Sequence, residues 1–290
     1  MSDTTESLHR KIDSAGELQS VVRTMKALAA SSIGQYEKSV RALADYYRTV
    51  ELGLGACFRT HEPARRVTER DPPAVSAIVF GSDQGLVGQF NETVADYAVK
   101  TLTAAPGKSQ VWAIGERVHG RMADAGMSLL GLFTVPNSVQ AITSLVSQIQ
   151  IESESHRRAH APLWVFHNRP LTGALYEPVC QRLLPLDAQW QQDLVETHWP
   201  TANLPEVVGS DVATVRMLVR EYLFISLFRA CAESLASENA SRLAAMERAD
   251  KNITELLEQL HATFHQLRQS SIDEELFDVI SGFEALAGLR

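Results

Sequence analysis

The run GSDQGLVGQFN (residues 81–91) has the makings of a phosphate cradle. It follows an apolar segment, turns through Gly81, Gly85 and Gly88, and opens a helix-forming stretch. A phosphate site in that setting uses backbone N–H groups at a helix N-terminus, with glycines that let the backbone approach the anion. The spacing fails each specific version. A Walker A loop needs GxxxxGK[ST], and no lysine lies within this turn. The dinucleotide fingerprint GxGxxG puts one residue between its first two glycines, whereas three separate Gly81 from Gly85. A nucleophile elbow requires GxSxG, and Ser82 directly follows Gly81. On residue types alone, these glycines read as a tight turn that packs a helix closely.

Other reactive side chains fare no better. His156 and His160, and again His261 and His265, stand at helical i, i+4 spacing. Neither pair carries the glutamate of HExxH or a third ligand nearby in sequence, so no metal site is expected. Asp273, Glu274 and Glu275 follow Ser270 and Ser271 as a solvated helix face. Cys57, Cys180 and Cys231 are odd in number and far apart, which fits a reducing compartment and three small buried hydrophobes. No catalytic, cofactor or metal residue is assigned.

The elements that must position these residues fall into three stretches. From Leu8 to Leu54, apolar residues recur at threes and fours and no proline interrupts them. One amphipathic helix of about 50 residues, roughly 75 Å long, is expected there. Within it KALAASSIG (residues 26–34) is poor in bulk, which allows close approach of a partner helix, although Gly34 costs about 1 kcal/mol of helix propensity. A second stripe runs from Val212 to Leu267 and resumes at Leu276, Ile280 and Phe283. It lies beyond Pro205, the last proline, so roughly 75 residues of helix are expected. Two such helices suggest an antiparallel coiled coil, irregular in supercoil because the stripe wanders from strict heptads.

Between them the period alternates. Strands are expected at residues 74–80, 110–114, 129–133 and 163–167, helices at 91–102, 116–124 and 138–153, and an antiparallel edge piece at 175–184. That interleaving reads as βαβ units around a mostly parallel sheet. The expected fold class is therefore α/β: a Rossmann-like central domain (74–200) with coiled-coil helices at 1–58 and 209–290. RTHEPARRVTERDPP before the domain and HWPTANLPEVVGSD after it read as linkers.

Composition narrows the function classes. A formal net charge of -8 argues against a nucleic-acid binder. No stretch reaches the ~20 uninterrupted apolar residues of a membrane span. The best candidate, MLVREYLFISLFRACAESLA, is cut by Arg220, Glu221, Arg229 and Glu233. The first twenty residues carry charge and lack an apolar core, so a soluble, cytosolic chain without a signal peptide is expected.

Longer motifs add what spacing cannot. Residues 237–286 hold SEN-x-xR, M-x-x-A, an asparagine, RQ-x-SI, EL and V-x-SG-x-EAL in succession. TMKALAAS (residues 24–31), the GSDQGLVGQFN loop and QRLLPL (residues 181–186) accompany them. In this order the motifs resemble those of the γ subunits of F-type ATP synthases, the central rotor stalk, and the likeness covers the chain from end to end. The resemblance implies a coiled coil threading a ring of three catalytic αβ pairs. The α/β domain would lie below, against the ε subunit and the membrane c-ring. The chain would then couple ion flow to ATP synthesis or hydrolysis without catalysing either and without a cofactor. It would be peripheral, at the cytoplasmic side of a bacterial inner membrane. A shaft turning in a sleeve suits polar outer faces with few anchoring aromatics.

By position, the resemblance implies that Met25 belongs to a helix–helix contact near the rotor bearing, with Arg242 among its partners opposite. It implies that Arg268 and Gln269 engage a loop on one β subunit, and it makes the Gly81/Gly85/Gly88 loop a turn near the base of the shaft. Departures from the family pattern include Gln84 in place of arginine, Val87 in place of cysteine, and the nearly neutral SIGQYEKS where a basic run is frequent. They suggest a divergent branch, such as an alternate sodium-moving enzyme. Two other readings rest on the residues alone: a free-standing α/β binding module on a coiled-coil arm, and a small nucleotide-binding enzyme with its site at the glycine loop.

Overall fold

A computed structural model describes residues 4–60, 75–156, 161–173, 175–203, 205–207 and 210–287. His160, most of the first linker and part of the second lie outside the described residues. In chain order the elements are α1 (Thr5–Ala42), α2 (Ala44–Thr60), β1 (Ser76–Phe80), α3 (Phe90–Ala104), β2 (Gln110–Ile114) and α4 (Glu116–Asp124). They continue with β3 (Ser128–Phe133), α5 (Val139–His156), β4 (Leu163–Pro170), β5 (Tyr176–Leu184), α6 (Ala188–Glu196) and α7 (Asp211–Ala287). The chain divides into two compact units, Met1–Leu28 with Leu243–Arg290 and Ala29–Arg242. Both α1 and α7 contribute residues to each.

The smaller unit is an antiparallel helix pair. Its seam holds Val22, Met246 and Ile253, with Met25, Ala249 and Leu257 packed beside them. Gln19 Nε2 donates to Thr254 Oγ1 at 2.9 Å, Arg23 Nε to Asp250 Oδ1 at 3.2 Å, and Lys26 Nζ lies 3.9 Å from Glu247 Oε1. His9 meets Phe264 edge-on, with centroids 6.1 Å apart. Each step forward along α1 is matched by an equal step back along α7, so one register runs through the pair. The expected seam stops short of the stripe, however: Leu276 and Ile280 are exposed. α1 begins at Thr5, nearly opposite the Phe264 turn, so the last turns of α7 have no partner helix among the described residues. The outer surface there is mixed: Ile272, Phe277 and Val279 are exposed beside the charged Asp273, Glu274, Glu275 and Asp278.

In the larger unit, β1–β5 form one sheet in the order β3-β2-β1-β4-β5, all parallel except β5, which runs antiparallel to β4. Side chains alternate across its two faces, as the pleat requires. Ile78, Phe80, Trp112, Ile114, Leu163 and Val165 face a core shared with α5 and the Tyr222–Ala236 stretch of α7. Ala77, Val79, Val111, Ala113 and Phe166 face α3 and α4. Both faces are covered, which is why β1 and β2 read as nearly continuous apolar runs.

Three expectations need correction. The N-terminal helix is two helices rather than one, interrupted at Leu43, whose N–H bonds Val40 O three residues back. Ser39 Oγ donates to Tyr36 O one turn earlier, and such back-bonding competes with the helical ladder and bends it. The smallness of Gly34 brings no neighbour close, because a Cβ there would meet nothing within 4 Å. The stretch after β5 also contains α6, capped by Asp187 Oδ1 accepting from Gln189 N and Trp190 N. An aspartate before AQW was the legible signal for that start.

Candidate functional site

The chain runs from β1 outward through β2 to β3, then returns to place β4 on the other side of β1. The carboxyl ends of β1 and β4 therefore flank a topological switch point, where open α/β sheets hold their ligands. The glycine loop lies there, immediately after β1.

That loop is wired inward. Gly81 N donates to Ile114 O at 2.8 Å. A Cβ on Gly81 would come 2.4 Å from Val118 Cβ and 2.8 Å from Asn91 Oδ1, so only glycine fits. Ser82 and Asn91 exchange two hydrogen bonds, Ser82 N to Asn91 Oδ1 at 2.9 Å and Asn91 Nδ2 to Ser82 Oγ at 2.8 Å. Asp83 accepts from Glu116 N at 3.0 Å through one oxygen and from Val135 N at 2.8 Å through the other. It thus joins the turn after β1 to the start of α4 and the segment after β3. A carboxylate at the α4 N-terminus also takes the place an incoming anion would need there. Gly85 has room, with Arg117 Nη2 3.6 Å from a would-be Cβ, while Gly88 sits at φ +58°.

A helix fills the crevice. Ser241 of α7 donates to Val87 O at 2.5 Å, and Ser237 donates to Asn168 O, near the end of β4, at 2.9 Å. Asn168 Nδ2 in turn reaches Phe90 O at 2.9 Å. One turn further back, His167 Nε2 lies 2.8 Å from Glu233 Oε2, and Arg229 Nε donates to Glu233 Oε1 at 2.7 Å. Burial pushes the Glu233 carboxyl up, but the bonds from His167 and Arg229 outweigh it and hold the group below the ordinary carboxylate range. A nucleotide-binding fold would present an open cleft here; this one presents a seat for its own C-terminal helix.

The residues singled out from sequence are dispersed. Met25 packs in the α1–α7 seam. Arg242 is mostly buried, and its Nη2 donates to Glu238 Oε1 at 2.6 Å. Burial raises the Glu238 carboxyl above its usual range, Arg242 opposes the shift, and Asp83 adds to it. Arg268 and Gln269 are exposed on α7. His261 and His265 are also exposed, and His156 packs edge-on against Trp112. The described residues hold no cluster of three or more His, Cys, Asp or Glu that could bind a metal. Cys57 and Cys231 are buried as expected, but Cys180 is only half-buried. It lies on edge strand β5 beside a cavity of about 410 Å³ that also borders His167, Arg229 and Glu233, and partial burial pushes its thiol up to about 11.

Residues 233, 237 and 241 were not legible as a unit. Their spacing of four puts them on one helix face, but Ser234, Glu238, Asn239 and Arg242 stand among them, so polarity alone did not single them out.

A long helix pair joined in sequence to an α/β body whose ligand crevice is plugged defines a structural subunit. The family model described as ATP synthase matches residues 4–286, and the chain belongs to that family. The ATP synthase gamma chain of Dechloromonas aromatica (strain RCB) is 24% identical over 285 residues, covering 96% of this chain and 98% of that one. Its place in the family is that of the γ subunit, the central-stalk rotor, and it is non-catalytic. The fold is shared with a chain of the Euglena gracilis mitochondrial ATP synthase in an OSCP/F1/c-ring structure (TM-score 0.66, 16% identity, 99% of this chain and 96% of that). A chain from the central stalk/c-ring structure of the Tetrahymena thermophila mitochondrial enzyme gives a TM-score of 0.59 at 17% identity, covering 79% of this chain and 99% of that.

Proposed function

We propose that this rotor turns inside a ring of three αβ pairs, with its α/β body against an ε subunit and a membrane c-ring. Rotation driven by ion flow through the ring forms ATP at the αβ sites, and hydrolysis there drives the reverse. The observation that carries this reading is the uncovered end of α7, where Ile272, Leu276, Phe277, Val279 and Ile280 are all exposed. Exposed apolar side chains on a helix end that has no partner helix among the described residues call for a surrounding sleeve. Arg268 and Gln269 stand on the same exposed stretch and are assigned to a β-subunit loop, and Met25 and Arg242 to the region of the bearing. The chain is assigned to the cytoplasmic face of a bacterial inner membrane as a peripheral subunit; no helix among the described residues is long and apolar enough to cross a membrane. Gln84, Val87 and the near-neutral run after Ser31 support an alternate branch, and the choice of ion belongs to the c-ring.

The test is co-expression with α and β. The expected product is an ATP-hydrolysing complex retaining this chain. A stable, monodisperse chain that ignores α and β would overturn the assignment.

A further inference from the structure

We infer that Glu233, Ser237 and Ser241 form the joint through which the α/β body grips α7 and passes torque to it. The inference rests on the rotor reading and adds the residues that carry the load.

The three side chains recur every four residues and so lie along one face of α7. Each is buried, with Glu233 6%, Ser237 0% and Ser241 8% exposed. Each bonds a different part of the switch point: Glu233 to His167, Ser237 to the Asn168 carbonyl, and Ser241 to the Val87 carbonyl of the glycine loop. Around them, Tyr222, Ile225, Phe228, Cys231 and Leu235 pack in the apolar core.

Apolar packing holds a helix in its groove but is non-directional, so it resists pulling out better than slipping. Hydrogen bonds depend steeply on angle and distance, and a row of them resists rotation about the helix axis and sliding along it. Buried polar groups also leave no cheap neighbouring register, because a slip by one residue strands each of them without a partner. The acceptors are rigidly backed. Asn168 is tied to Phe90 O, and the loop bearing Val87 is anchored through Ser82, Asn91 and Asp83 to the ends of β1, β2 and β3. A ligand crevice has thus become a keyed seat, with Ser237 and Ser241 as positioning residues.

The experiment uses the assembled enzyme in sealed vesicles, with a voltage-sensitive dye that reports charge movement whichever ion is carried. Unloaded hydrolysis is measured with the membrane made leaky, and ATP-driven pumping against an imposed opposing potential. Ser237→Ala with Ser241→Ala is expected to hydrolyse ATP within about twofold of the unsubstituted enzyme, yet pump roughly 25-fold less under load, the order of factor two lost hydrogen bonds represent at about fivefold each. Ser241→Thr keeps the hydroxyl and is expected to retain loaded pumping. If the double variant fails to assemble, Ser241→Ala alone provides the comparison. An alanine variant with an unchanged ratio of loaded pumping to unloaded hydrolysis overturns the inference. So does a loss of pumping that Ser241→Thr shares. Absence of pumping in the unsubstituted enzyme would instead count against the rotor reading.

Discussion

His167 and Glu233 meet at 2.8 Å in a buried contact between β4 and α7, and Arg229 holds the second carboxylate oxygen at 2.7 Å. Glu233 is consequently more acidic in the folded chain than in the unfolded one. A depressed carboxyl contributes stability that is present above its unfolded pKa and is lost as pH falls through the folded one. Glu233→Gln should therefore destabilise the chain near neutral pH by about 2 kcal/mol, the scale of a hydrogen bond to a charged group. The deficit should close as the solution is acidified below the ordinary carboxylate range. Thermal unfolding of both proteins across pH measures this; a deficit constant with pH would remove the ionised pair as its cause.

Asp83 is the clamp of the glycine loop. Asp83→Ala leaves Glu116 N and Val135 N without their acceptor and removes a negative charge from the α4 N-terminus. A loss of about 1–3 kcal/mol is expected. Asp83→Asn, which retains one acceptor oxygen, should lose less. Hydrogen exchange should rise first at Glu116 and Val135.

Gly115 and Gly34 should respond in opposite directions. Gly115 has φ +109°, and a Cβ there would lie 2.7 Å from the Ser82 backbone, so Gly115→Ala should sharply reduce the yield of folded chain. Gly34 is within α1 with open space around it, so Gly34→Ala should stabilise the helix by about 0.5–1 kcal/mol. Melting temperatures decide both.

Arg268→Ala with Gln269→Ala should leave assembly intact, because both side chains are exposed and the seam described for α1 and α7 lies elsewhere. Coupled turnover should fall. Unchanged turnover in the assembled complex would withdraw these residues from the β-subunit contact.

Residues 81–91 lack the lysine and the glycine separations of the phosphate-binding motifs, so spacing reads them as a tight turn. Local periodicity likewise located β2 and α4 to the residue and the other strands to within a few positions, since pleat and helix repeats are written in consecutive side chains. The same periodicity could not register the break at Leu43, which has no proline or glycine beside it. Nor could it say where the α7 stripe ceases to be a seam, because that depends on where α1 begins.

What the sequence determined by itself was the succession of elements and, through its motifs, a likeness to rotor subunits. Only the tertiary structure decided that the Gly81–Gly88 turn, after β1, and the end of β4 form a seat for α7. Strand order and crevice are products of non-local pairing, and Ser241 and Val87 are partners 154 residues apart. Their bond exists because the chain returns to the switch point with a helix whose buried polar face matches the carbonyls waiting there.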